Sequence, residues 1–472
     1  MTISMRQARP RPVFAARMRP ALAAMLAAGA LTLAPIATSA HTINETLAEA
    51  YRHAGLLDKN RAILRAADES VAQAVATLRP VIDYAVSYTY TDGPGALFPG
   101  SRTAYRIRSS FTLFDFGNRR LGVEAQKEFV LATRQALTGA EQQVLGAASN
   151  AFFDVLEASA NVALRQNNVR LITQEKRAAE DRFEVGEVTR TDVALAESRL
   201  ASARANLAAA QGDLARANAA YEEAVGSPAH TLTQPTSFPP IPDSPATARS
   251  IARSTHPDIL AAQHAIKVAE IAVDRAQLNT YPTLSGSVTH NFDVDNSFDR
   301  DSTLSLEFGG PIYQGGRLDS AIRIERADLD QARADLHIAR HAIDEAVAIA
   351  YANLAVARAS RVASEEQIRA ATVAFRGIRE EATLGARTTL DVLDAEQELL
   401  DARQNRLSAV TSEFKAIYGV LSAIGRLTAK DLGLPVQLYD PAEYYNLVKN
   451  APTTESPQGK ALDRVLQRIR ND

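Results

Sequence analysis

The chain has 472 residues but no cysteine, no tryptophan and only 6% aromatic residues, so a conventional packed core of this size is hard to build and a cysteine nucleophile is excluded. Alanine and small polar residues fill the gap, a composition that favours long helices packed closely side by side. With 52 basic against 55 acidic side chains the net charge is −3, which gives no electrostatic reason to expect nucleic acid as a partner.

In chain order, Arg6, Arg9, Arg11, Arg17 and Arg19 precede the apolar run Ala21 to Ile36, and the segment closes on Thr38-Ser39-Ala40. That pattern reads as an export signal over 1–40, cleaved near Ala40 to leave His41 as the new N-terminus. No cysteine follows the apolar run, so lipid attachment there is not expected. Further on, no stretch approaches the 18 or more apolar residues of a spanning helix. The mature chain is therefore expected to be exported, and either soluble or a β-barrel.

A first unit, 41–226, contains two strands with a strict two-residue period, at about 81–91 and 103–114. Ile82, Tyr84, Val86, Tyr88 and Tyr90 alternate with Asp83, Ala85, Ser87 and Thr89; Tyr105, Ile107, Phe111 and Leu113 alternate with Arg106, Arg108, Ser110 and Thr112. Asp92-Gly93-Pro94-Gly95 to Pro99-Gly100 forms the loop between them. A helix of about 118–184 follows, with Leu137, Ala140, Val144, Ala147 and Ala151 at spacings of three and four. At about 1.5 Å per residue such a helix is about 100 Å long, far beyond a bilayer and comparable to a periplasmic space. A turn containing Gly186 leads into a return helix of about 190–225.

Residues 227–255, with Pro228, Pro235, Pro239, Pro240, Pro242 and Pro245, read as a proline-rich crossing linker. A second unit, 256–428, then repeats the first: strands at about 282–293 and 302–312, a long helix of about 316–383 and a return helix of about 388–427. Leu329, Ala332, Leu336, Ala339 and Ile343 mark the seam of its long helix, and Leu407, Val410, Phe414, Ile417, Leu421 and Ile424 that of its return helix. The tail, 429–472, is polar and expected to be mobile, with a helical turn or two at Leu462 to Ile469.

The two units echo one another residue by residue. Arg-Phe-Glu-Val-Gly-Glu-Val-Thr-Arg-Thr-Asp ending at Asp192 parallels Glu-Ala-Thr-Leu-Gly-Ala-Arg-Thr-Thr-Leu-Asp ending at Asp391, 199 residues on, and Pro80 parallels Pro282 at 202. Four strands are too few to close a barrel, but three copies supply twelve, with the apolar faces toward lipid and tyrosines at the interface girdles. On periodicity alone a soluble sandwich stays open. In a barrel Arg106 and Arg108 face the lumen and set its charge; salt bridges to Asp83 or Glu307 are the alternative.

Pro311-Ile312-Tyr313-Gln314-Gly315-Gly316-Arg317 and Gly385-Ala386-Arg387-Thr388-Thr389-Leu390-Asp391-Val392-Leu393-Asp394-Ala395, set in this duplicated frame, resemble the TolC family of outer-membrane efflux and secretion ducts. The resemblance implies a mainly α fold with a membrane β-barrel: a homotrimer whose 12-stranded barrel continues into a long α-helical periplasmic tunnel. It implies docking of a periplasmic adaptor (membrane fusion) protein at the turns of Gly186 and Gly385, and an inner-membrane energy source. By position, Asp391 and Asp394 occupy the family's acidic gate rings, Arg387 its basic tether, and Thr191 and Asp192 the tether's partners in the first unit. Ala382 stands where the family often has a tyrosine lock, with Phe183 at the equivalent place of the first unit. Without the resemblance, Asp391 and Asp394 read as solvated residues complementing a helix dipole.

Family members serving multidrug pumps often carry a lipidated cysteine, and its absence points to type I secretion with an inner-membrane ABC transporter and an exported protein such as an RTX toxin (cyclolysin is the specific expectation). The alternatives are the duct of a multidrug efflux pump and a periplasmic coiled-coil scaffold. No cofactor is expected and no catalytic residue is assigned. His337 and His341 have the spacing of a metal pair but lack the glutamate of His-Glu-x-x-His, and read as solvated helix surface. Asp293, Asp295, Asp299 and Asp301 lack the glycine and spacing of a calcium loop and read as an acidic external loop.

Overall fold

The computed structural model describes residues 41–92, 100–293 and 300–471. The expected export signal, the loop residues 93–99, and Asp295 and Asp299 lie outside the described residues.

Each unit is built as two short helices, a β-hairpin, a 67-residue helix and a return helix. The first comprises α1 (Ile43–His53), α2 (Gly55–Ala76), β1 (Val81–Thr91), β2 (Gly100–Phe114), α3 (Asn118–Glu184) and α4 (Arg190–Val225). The second comprises α5 (Pro245–Thr255), α6 (Pro257–Leu278), β3 (Thr283–Asp293), β4 (Arg300–Gly309), α7 (Arg317–Thr383) and α8 (Thr389–Ala423), and α9 (Pro441–Val448) and α10 (Pro457–Asn471) follow. The offset is 202 residues from Gly55 to Pro257 and 199 from Asn118 to Arg317, so the second hairpin is three residues shorter.

Several boundaries differ from the sequence reading, each for a local reason. The helix before each hairpin is broken, at Ala54 and at His256, both extended; His256 precedes Pro257, whose ring disfavours the α conformation before it. The expected linker ends as helix α5, because Pro245 falls at the first helical position, where a missing N–H is harmless, and the Ser244 hydroxyl caps Thr247. The tail is structured. Tyr444 and Val448 are buried against Ala72, the Tyr444 hydroxyl donates to Glu69 Oε1 at 2.7 Å, and Arg79 Nη1 donates to the Ala451 carbonyl at 2.8 Å. Apolar residues of the tail, scattered at 444, 447 and 448, were too few to show a period.

The four strands form one antiparallel sheet in the order β1-β2-β3-β4. Cross-strand register sets Tyr84 beside Ile107 and Val86 beside Tyr105 on one face, Asp83 beside Arg108 and Ala85 beside Arg106 on the other. A bulge between Thr112 and Phe114 shifts the alternation, so Phe114 and not Leu113 stands opposite Leu284. Gly286 lies opposite Phe111, whose ring occupies the place its side chain would take: a Cβ there would stand 2.7 Å from the ring. β4 stops at Gly309, short of the expected 312, because Gly310 is pressed against Pro282, 2.6 Å from a would-be Cβ, and Pro311 has no N–H to donate.

The principal core lies in the middle of the long helices. Phe152, Phe153 and Leu145 of α3 meet Leu47 of α1, Tyr221 of α4, Ile259 of α6 and Ile424 and Leu427 beyond α8. Each such side chain contributes roughly 1.5–3 kcal/mol by burial. Among the described residues no helix is long and apolar enough to cross a membrane.

Candidate functional site

Two regions carry the chemistry: the helical tips, where α3 turns into α4 and α7 into α8, and the sheet at the opposite ends of α3 and α7.

Both tips close in the same way. Gly186 and Gly385 have φ of 81° and 77°, a left-handed conformation that costs a side-chain-bearing residue roughly 1–2 kcal/mol. Around Gly186 its own N–H reaches the Phe183 carbonyl at 3.0 Å and that of Glu187 the Arg182 carbonyl at 2.9 Å; Gly385 and Ala386 repeat the pair on Ala382 and Glu381. A Cβ on either glycine meets nothing within 4 Å, so the demand for glycine is conformational. The preceding residues, Val185 and Leu384, are 71% and 84% exposed, an unusual placement for apolar side chains at equivalent positions of both tips. Sequence reasoning passed over them, though each is legible as the apolar neighbour of a tip glycine.

The next turn opens α4 and α8 with matching capping boxes. Asp391 Oδ2 accepts from the Thr388 N–H at 2.9 Å and its hydroxyl at 2.8 Å, and the Thr388 hydroxyl in turn accepts from the Asp391 N–H. Asp192 makes the same bonds with Thr189, at 2.9 and 2.7 Å. These bonds, the backbone N–H of Thr388 first, hold the Asp391 carboxyl below the usual range. Asp394 has a different partner and accepts from Arg199 Nη2 of α4 at 2.7 Å, tying the two hairpins together. Arg387 Nε donates to Glu381 Oε2 of its own turn at 2.9 Å. Within one chain, Arg387 thus bonds to Glu381, Asp192 completes the capping box of α4, and Thr191 and Phe183 are exposed at the first tip. Ala382, by contrast, is buried with Phe375, Val392 and Leu399.

One group at this end went unread. Glu396 is 4% exposed and accepts from Asn168 Nδ2 of α3 at 2.7 Å, while its other oxygen has no protein partner. Burial pushes its carboxyl up to about 7, only partly offset by the Asn168 bond, with Glu175, Arg379 and Arg403 as the surrounding charges. It lines a cleft of about 380 Å³ between α3, α7 and α8 together with Arg376, Arg379 and Arg403. Its position was legible: it falls four residues after Val392 and three before Leu399, on the buried face of α8.

On the sheet, the apolar row is bare. Tyr84 is 85% exposed, Ile82 73% and Phe308 68%. The opposite face carries a polar row in which Arg106 Nε donates to Asn291 Oδ1 at 3.1 Å and Asn291 donates to Asp301 Oδ2 at 3.2 Å. Arg108 lies beside Asp83 in register and shares a small cleft with Arg79, Arg119 and Glu307. Arg119 anchors this sheet to α3 through Asp115 Oδ2 and the carbonyls of Thr77 and Thr112, at 2.8, 2.7 and 2.7 Å.

A sheet bare on its apolar face, carried on helical hairpins with capped, apolar tips, defines the protomer of an outer-membrane channel-tunnel. The family profile described as "Outer membrane efflux protein" matches residues 47–227 and 248–425, one segment for each unit. The chain belongs to the outer membrane efflux protein family, whose members are structural channels of the outer membrane and not enzymes. It is 35% identical to the outer membrane efflux protein BepC of Brucella suis biovar 1 (strain 1330) over 93% of this chain and 97% of that one. To the alkaline protease secretion protein AprF of Pseudomonas aeruginosa it is 26% identical over 58% of this chain and 59% of that one. The crystal structure of the CmeC outer membrane channel of Campylobacter jejuni superposes with a TM-score of 0.73 at 16% identity, covering 87% of this chain and 90% of that one.

Proposed function

We propose that three copies of the chain assemble head to tail into one duct, each contributing its four strands to a twelve-stranded barrel in outer-membrane lipid and its helices to a periplasmic tunnel. The observation that carries this is the sheet: β1 and β4 each have one unpaired edge, and most of the apolar face, including every apolar residue of β1 and β4, is exposed. Cyclic closure pairs both edges and lipid covers the face. Arg106 and Arg108 then line the lumen.

At the inner end, threefold repetition brings Asp391 and Asp394 into a ring of six carboxylates that binds cations and narrows the exit. Arg387, Thr191, Asp192 and Phe183 are the contacts between neighbouring hairpins that hold the closed state; opening exchanges the Arg387–Glu381 and Arg199–Asp394 pairs for others. The turns of Gly186 and Gly385, with Val185 and Leu384 exposed beside them, are the docking points for a periplasmic adaptor. The inner-membrane partner supplies the energy.

For cargo, the reading is protein export in a type I complex with an ABC transporter, supported by the likeness to AprF, a protease secretion protein. Small-molecule efflux is the second reading, favoured by the likeness to BepC, which is both higher and nearly full-length. Deleting the chain's gene separates them: loss of one or more proteins from the culture medium with unchanged drug tolerance supports the first, and raised drug sensitivity with an unchanged secreted set supports the second. In either case the protein extracts with detergent from the outer-membrane fraction as a trimer; release by salt alone would refute the duct.

A further inference from the structure

His337 and His341 stand one turn apart on the exposed face of α7, and their Nε2 atoms are 3.3 Å from each other. The ring centroids are 4.4 Å apart with the planes inclined at 58°, so the rings are tilted and not stacked, with their Nε2 edges facing each other at hydrogen-bond distance. Imidazole binds zinc at about 2.0–2.1 Å, and two such bonds at a tetrahedral angle place their nitrogens about 3.3–3.4 Å apart. The pair therefore already has the bite of a chelate. Spacing alone, as read from the sequence, showed only that the two could share a face.

We infer that His337 and His341 form a two-histidine site for a borderline divalent transition ion such as Zn2+, Ni2+ or Cu2+, with water completing the coordination. Imidazole nitrogen suits these ions, whereas Mg2+ and Ca2+ require oxygen ligands. Two carboxylates and two arginines lie near the pair. Glu345 lies one further turn along the same stripe, and Asp344 is close enough for its carboxyl to be held down partly by His341, though its main partner is Arg253. Asp344 itself is engaged by Arg253, whose Nε donates to Oδ1 at 3.0 Å and whose Nη2 donates to Oδ2 at 2.5 Å, and so braces the helix beside the site.

The test is calorimetric titration of the untagged, full-length mature protein in detergent with ZnCl2, together with the electron paramagnetic resonance spectrum of one equivalent of Cu2+. One ion per chain is expected, with two imidazole nitrogens in the copper spectrum. His337→Gln and His341→Gln are each expected to weaken binding at least tenfold, and the double variant little further, because either change alone opens the chelate. Both positions are exposed, so unchanged helical content checks that the variants fold. His41 and His230, whose rings lie 5.1 Å apart, are the competing site. Absence of binding, unchanged affinity in the double variant, or loss confined to His41→Gln or His230→Gln would each overturn the assignment.

Discussion

Replacing Glu396 by Gln is expected to stabilise the inner end of the tunnel at alkaline pH and to do almost nothing at acid pH. The carboxyl titrates near 7 in the folded chain against 4.5 when free. Below about pH 4.5 both states hold the proton and the group is neutral in its effect. As pH rises from there the unfolded chain ionises first, so the folded state loses relative stability until the folded group also ionises near 7; above that the loss is constant. A shift of about 2.5 units corresponds to about 3 kcal/mol, or roughly three hundredfold in the local opening equilibrium. Glutamine keeps the carbonyl that accepts from Asn168 and carries no charge to bury. Amide hydrogen exchange of α8 around Val392 to Leu400, compared between wild type and Glu396→Gln at each pH, isolates the effect from intrinsic exchange rates. Protection in the variant is expected to exceed wild type by about two orders of magnitude or slightly more at pH 8, and the gap to close toward pH 5. An equal gap at both pH values would show that the carboxyl ionises normally and that its burial is not as described.

Four further outcomes follow from the same geometry. Asp68 is fully buried with both oxygens unpartnered, and burial raises its carboxyl to about 6, so Asp68→Asn is expected to raise the thermal midpoint at pH 8 and to lose that advantage toward pH 4. Gly385→Ala imposes a left-handed conformation on alanine at a cost of about 1–2 kcal/mol, seen as faster exchange of the tip amides with the distant core unchanged. Gly286→Leu drives a side chain into the Phe111 ring, and loss of the detergent-stable trimer is the expected result on native gels. For the gate, Asp391→Asn with Asp394→Asn is the informative pair, because asparagine at 391 can still accept from the Thr388 N–H and keep the capping box, whereas alanine would break it. Block of single-channel conductance by multivalent cations is expected to disappear in that variant, and unchanged block would refute the gate.

The duplicated frame was legible because its signals are periodic and long. Sixty-seven residues of helix give many turns for a seam to repeat, and a ten-residue strand shows its alternation plainly. What sequence missed was set by single residues or by distant contacts. The break at His256 depends on one following proline, and the bulge at Leu113 on a one-residue register shift; neither leaves a period. The tips show the same limit at the candidate site. By position both Asp391 and Asp394 read as gate carboxylates, yet they are engaged differently, one by the backbone of its own turn and one by Arg199, which lies 195 residues away. Glu396 differs again: its burial was readable from its neighbours, but its bond to Asn168 joins helices 228 residues apart in the chain.

The central claim is that the apolar face of the sheet meets lipid, and the chain's lack of tryptophan makes this directly measurable. Tyr84→Trp places one fluorophore on the apolar face, where the native side chain is 85% exposed, and Ser87→Trp places one on the polar face of the same strand. In vesicles containing brominated lipid, strong quenching is expected for the tryptophan at 84 and little for that at 87, which a water-soluble quencher reaches instead. No quenching by lipid at 84, or equal quenching at both positions, would contradict the barrel and with it the duct.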